Sequence, residues 1–109
     1  MAYDEDLANR IRELMAAESG VTEKKMFGGL AFLIGGHMAV AASGQGGLMV
    51  RCAPEETERL IAKPHARRFE MRGREMDGWL RVDSEALGVD ELSGWVDVGL
   101  AYARSLPAK

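Results

Sequence analysis

The chain has 109 residues, 47% of them apolar and 28% charged, with a formal net charge of -3. This suits a single folded domain spanning 1–109, which should bury roughly two-thirds of the surface its unfolded form exposes, and argues against disorder. A negative total excludes a global attraction to nucleic acid or anionic lipid, so any such binding needs a local patch.

One cysteine, Cys52, cannot form an internal disulfide, and with two histidines it falls short of the usual structural zinc sites. No metal and no cofactor are expected. The acidic start (Asp4, Glu5, Asp6) is unlike a secretory signal, and no apolar run approaches bilayer-spanning length. The expected setting is cytoplasmic, with no membrane association.

Along the chain, Leu7, Ile11, Leu14 and Met15 share one helical face between Asp4 and Ala17, with acids at the positive end of the dipole. Lys24 to Arg51 then reads as a three-strand meander: Phe27 to Ile34, His37 to Ala42, and Leu48 to Cys52. Gly28 and Gly29 suggest a bulge or a close backbone approach, and Gly35-Gly36 a tight turn. Alternation puts Leu30, Phe32, Ile34, Met38, Val40 and Ala42 on one face, to meet the helices. The other face carries Ala31, Leu33, Ala39, Ala41 and Met49, unusually apolar for a surface meant only for water. That set is a candidate contact surface for a partner or a second copy, or else a later strand or the tail covers it.

Pro54, with Glu55 and Glu56 after it, opens a short second helix that Lys63-Pro64 closes. A second hairpin follows, with strands at Arg67 to Met71 and Trp79 to Asp83 joined through Arg72 to Gly78. The last helix begins near Asp90 and carries Leu92, Val96, Gly99, Leu100, Ala103 and Leu106 along one stripe. Gly94 and Gly99 are poor helix formers there, so close packing is expected at both. The order α-β-β-β-α-β-β-α predicts a two-layer α+β domain, one antiparallel sheet with helices mainly on one face.

Met26-Phe27-Gly28-Gly29 after an amphipathic helix, then Phe69-Glu70-Met71 through Met76-Asp77-Gly78-Trp79, and Trp95 to Pro107 at the end, together resemble the N-terminal domain of the TfoX/Sxy family of bacterial competence regulators. The resemblance covers nearly the whole chain. It implies an antiparallel sheet with flanking helices, arranged like secretion chaperones, and a link to transcriptional control of DNA-uptake genes, with no catalytic residues to carry over. Larger members continue into a helical C-terminal domain, so the resemblance implies a stand-alone form of the N-terminal one.

Chemistry in the residues is sparse. The Ser43 to Gly47 loop leads into a strand and lacks the Lys-Ser/Thr of a phosphate loop, so it reads as a hairpin connection. Cys52 alternates with Leu48 and Val50 and reads as a small buried hydrophobe rather than a nucleophile served by His37 or His65. No catalytic residue is assigned and the chain is not expected to be an enzyme.

The sharper signal is charge. From Lys63 to Arg81 six cations face three anions, a local +3 that leaves -6 elsewhere. Arg67, Arg68, Arg72, Arg74 and Arg81 are therefore candidate nucleic-acid contacts, unless Glu70, Glu75 and Asp77 pair with them across the hairpin. Two readings follow: a regulatory or protein-docking module using the apolar sheet face, with self-association among its forms, and direct nucleic-acid binding by the basic hairpin.

Overall fold

Asp4 starts the first helix by accepting hydrogen bonds from the backbone N–H groups of Asp6 and Leu7, two donors that no helical carbonyl can satisfy. In the computed structural model, which describes residues 3–26, 28–44, 46–71 and 73–107, that helix is α1 (Glu5–Met15). It is followed by strands β1 (Val21–Met26), β2 (Gly29–Ile34), β3 (His37–Ala42) and β4 (Leu48–Arg51). A 3-10 turn (Pro54–Glu56) leads into α2 (Thr57–Ile61), then come β5 (Ala66–Met71), β6 (Arg74–Val82) and α3 (Val89–Ser105). All six strands join one antiparallel sheet in the order β1-β2-β3-β4-β6-β5.

The α+β class and the succession of helices and strands are as the sequence predicts, with one further strand ahead of the meander. β1 was invisible to alternation because Thr22, Glu23, Lys24 and Lys25 are all exposed. It is an edge strand, and its charges blunt the unpaired edge. Met26 pairs with Gly29, so Gly28, at φ +76°, belongs to a tight turn rather than a bulge. Gly29 instead supplies the close approach, since a Cβ there would collide with the Ala42 carbonyl.

The second hairpin also differs. Arg74 to Gly78, read as connection, are strand, and the register steps from Arg68↔Leu80 to Phe69↔Met76. Three residues of β6 (Asp77 to Trp79) are thus taken up in a wide bulge around Gly78, whose φ is +85°. Gly78 is pinned from both sides: its N–H donates to Thr57 Oγ1 at 2.8 Å, and its carbonyl accepts from Cys52 N at 3.0 Å. Thr57 Oγ1 in turn donates to the Pro54 carbonyl at 2.7 Å.

All three helices lie against one side of the sheet. Leu7, Ile11 and Met15 of α1, Leu60 of α2, and Leu92, Trp95, Val96, Leu100 and Ala103 of α3 form one buried cluster with Leu30, Phe32, Val40, Leu48, Val50, Leu80 and Val82. Leu14, placed on that face by spacing, is 37% exposed, and Ala8 at 0% takes the position beneath. The expected packing at Gly99 is found: a Cβ would strike the Ala39 carbonyl and come within 2.9 Å of Val40 Cγ1. At Gly94 it is not, because a Cβ there meets nothing within 4 Å.

These two glycines give opposite expectations under chemical denaturation. Gly94→Ala should raise stability by up to about 1 kcal/mol through helix propensity, whereas Gly99→Ala should lower it by about 1–3 kcal/mol because overpacking outweighs propensity.

Candidate interaction face

β3 leaves strict alternation between Met38 and Val40: Leu33 pairs with Met38 while Phe32 pairs with Val40. Ala39 is the extra residue and faces the helices together with Val40, as a bulge requires. The predicted contact set is corrected accordingly. Ala39 is 0% exposed under α3, and Met38 takes its place among Ala31, Ala41 and Met49 on the helix-free face.

That face is not bare. Ala31, Met38, Ala41 and Met49 are buried, and the partly buried side chains of Met26, Leu33, Phe69 and Trp79 pack around them. Leu33 therefore joins the set as part of a rim, and among the described residues no helix residue takes part in this second cluster. Any docking here would engage the rim first.

Cations surround it. Strand register places Lys24 opposite Ala31, Arg81 opposite Met49, Arg51 opposite Trp79, and Arg67 opposite Arg81. Arg74, two residues from Met76 on β6, points the same way by register. Asp83 reaches this side, bound to Arg67 by two contacts of 3.0 and 3.1 Å, and Glu70 and Glu75 line a shallow pocket with Arg67, Phe69 and Arg81. The five cations outnumber the carboxylates near them, so this side is more basic than a chain total of -3 suggests.

Arg51 is the most constrained of the five. Its guanidinium lies 4.1 Å from the Trp79 ring centroid and 5.1 Å from that of Tyr102, and Nη2 donates to Tyr102 Oη at 3.3 Å. Its Nε is buried without a hydrogen-bond partner among the described residues. Stacking of this kind is worth about 0.5–2 kcal/mol, and it ties the face to α3. Arg81 donates to the Gly46 carbonyl at 3.0 Å, anchoring the loop between β3 and β4.

The five arginines predicted as nucleic-acid contacts do not form one patch. Arg67, Arg74 and Arg81 share the helix-free face, while Arg68 turns to the opposite side, 2.8 Å from Asp77 and 3.8 Å from Glu58 of α2. Arg72 and, in the Met-Phe-Gly-Gly motif, Phe27 lie outside the described residues. Sequence reading missed Arg51 and Lys24 as members of the face. The alternation that set Arg51 beside Met49 was the available signal for the first, and for Lys24 there was none, since its strand was not recognised.

The nucleophile and base candidates are dispersed among different partners. His37 Nε2 sits 2.6 Å from the Pro107 carbonyl, and His65 Nδ1 lies 3.7 Å from Asp83. Cys52 is 1% exposed, and burial pushes its thiol up despite a hydrogen bond with Thr57. Two N–H groups of the glycine loop are taken within it, Gly46 N donating to Ser43 O and Ser43 N to Gly47 O, each 3.1 Å. Among the described residues no group of three or more His, Cys, Asp and Glu side chains could hold a metal ion, and no helix is long and apolar enough to cross a membrane.

A six-stranded antiparallel sheet with three helices on one side and a cation-rimmed apolar cluster on the other defines a two-layer α+β domain. Residues 13–103 match the model of the TfoX N-terminal domain, and the chain belongs to that family. No curated protein and no solved structure gives a significant match.

Two measurements check this geometry. Native Cys52 should react with a thiol reagent at neutral pH at least about tenfold more slowly than in denaturant. The Arg67 guanidinium holds the Asp83 carboxyl below its usual range, so the pair contributes stability above an ordinary aspartate pKa of about 3.9 and loses it as pH falls through the lower folded value. Asp83→Asn should therefore be less stable than the parent at neutral pH, with the gap closing in strong acid.

Proposed function

We propose that this domain is a non-catalytic regulatory module that works by docking another protein on the helix-free face of its sheet. One observation carries the reading: the second apolar cluster is ringed by partly exposed Met26, Leu33, Phe69 and Trp79 and, among the described residues, includes no helix side chain. A face that needed only solubility would not gather methionines and aromatics between cations, and methionine suits surfaces that adapt to a partner. Membership of the TfoX N-terminal domain family, together with the resemblance to competence regulators, supports a regulatory role in the control of DNA-uptake genes within a bacterial cytoplasm.

The same face gives the second reading, direct nucleic-acid binding, its specific support, because Arg67, Arg74 and Arg81 lie beside Phe69 and Trp79. Against it, Arg67 is engaged by Asp83, Arg68 faces away, and the side chains that cover the middle of the face are apolar where a phosphate chain needs donors.

A photoreactive residue at position 33, introduced in the native cell, should give a discrete protein adduct that the same residue at exposed position 14 of α1 does not. Failure to form an adduct at 33 removes the docking reading. DNA and RNA titrations at low and physiological salt should show weak, steeply salt-dependent binding at most; tight binding that survives physiological salt favours the second reading.

A further inference from the structure

β5 closes the sheet at the end opposite β1, and among the described residues no strand pairs with its outer edge. The hairpin fixes which of its peptide groups face outward. Met71 and Arg74 close a two-residue turn and form a hydrogen-bonded pair, so Phe69 turns its peptide groups to β6 and Glu70 turns its own away. The other end of β5 has the same phase: the His65 carbonyl accepts from Asp83 N at 3.0 Å, while Ala66 N donates outward to the Lys63 carbonyl at 3.3 Å. The N–H and C=O groups of Arg68 and Glu70 therefore lie along the open edge, a template for another strand.

The β5 side chains select the strand that fits. Two copies joined edge to edge, with their helices on the same side, run antiparallel about a two-fold axis that passes beside one residue. Centred on Arg67 or Arg68, the register sets arginine against arginine, and centred on Glu70 it sets glutamate against glutamate. Centred on Phe69, it sets Arg68 against Glu70 of the second copy, twice by symmetry, and opposes no like charges. In that register the outward peptide groups of the two residues meet in four main-chain hydrogen bonds, and the two Phe69 rings face each other on the helix-free side. Glu70 stands opposite Glu75 in its own chain, a repulsion that an incoming arginine offsets. Asp77 takes Arg68 Nε at 2.8 Å, and a guanidinium has further donors. β1 has no such register: centred on Glu23, Lys24 or Lys25 it opposes like charges, and centred elsewhere it pairs no opposite charges within the strand.

We propose that two copies of this chain pair through β5, centred on Phe69, into a closed dimer whose sheet is continuous across both. The pairing uses the edge of the sheet and does not rest on the reading that its face docks a protein.

Sedimentation of the whole chain over a range of concentrations should show a monomer–dimer equilibrium. Glu70→Arg opposes arginines at both symmetry-related positions and should raise the dimer dissociation constant at least about tenfold. Within one chain the same change replaces a repulsive cross-strand pair by an attractive one, so lost association is not lost folding. Arg68→Glu opposes glutamates and should weaken the dimer as much. An equimolar mixture of the two variants restores opposite charges at both positions and should dimerise like the parent. Arg68→Glu also meets Asp77 and Glu58 in its own chain, so a cross-link supplies a second reading if it fails to fold. Phe69→Cys sets two thiols at the axis, where the Cα atoms of a non-hydrogen-bonded pair are about 4.5 Å apart and a disulfide closes. Mild oxidation should give a covalent dimer. Arg67→Cys, about 13 Å from its twin along the strands, and Thr22→Cys on β1 should not.

The proposal is overturned by a parent that stays monomeric at the highest concentration reached, by Glu70→Arg dimers as tight as the parent's, or by two folded variants that fail to rescue each other on mixing. Equal cross-linking at positions 22, 67 and 69, or assemblies that grow past the dimer, overturn it too. Position 33 lies on β2, remote from β5 in the strand order, so docking on the face and pairing at the edge stand or fall separately.

Discussion

The structure depends on how closely α3 can approach β3. Gly99 passes over the Ala39 carbonyl at a distance no side chain permits, and the bulge that turns Ala39 toward the helices presents that carbonyl and a single methyl group instead of a longer side chain. With α3 seated, Leu92, Val96, Leu100 and Ala103 are buried against the sheet, where each large apolar side chain contributes about 1.5–3 kcal/mol. The same seat brings Tyr102 to Arg51, so the position of a cation on the far face is set by packing on the near one.

Much of the helix layer was legible because period and burial agree there. Leu7, Ile11 and Met15, and Leu92, Val96 and Leu100, fall at helical spacing and are buried as spacing implies. What escaped reading escaped for physical reasons. β1 is held by one neighbouring strand and carries charges, so it has no hydrophobic alternation to display. The β3 bulge exchanges Met38 and Ala39 between faces without any sequence mark, since alanine and methionine suit either. The β6 bulge hides a strand behind Asp77-Gly78, a pair that ordinarily signals a turn.

The candidate face was legible in halves. The apolar half came from alternation and the basic half from a local charge count, but nothing in the linear chain said that they share one side of the sheet. Pairing of β4 with β6, strands separated by α2 and β5 in the sequence, brings Met49 beside Arg81 and Arg51 beside Trp79. Once the pairing is known, the chain resolves into an acidic helix-bearing side and a basic sheet side, a division that a total charge of -3 conceals.

The wide bulge at Gly78 has a consequence for how firmly that basic side is held. β4 reaches β6 through residues 79–82, so residues 74–76 pair with β5 alone, and Glu70 stands directly opposite Glu75, a repulsive cross-strand pair. A two-stranded ribbon of this kind is marginal by itself. Phe69 is the ribbon side chain that packs against the second apolar cluster and so ties it to the sheet. Arg74 thus rides on an arm whose angle to the sheet is governed by the Thr57 and Cys52 contacts to Gly78, and those two residues act as its hinge pin.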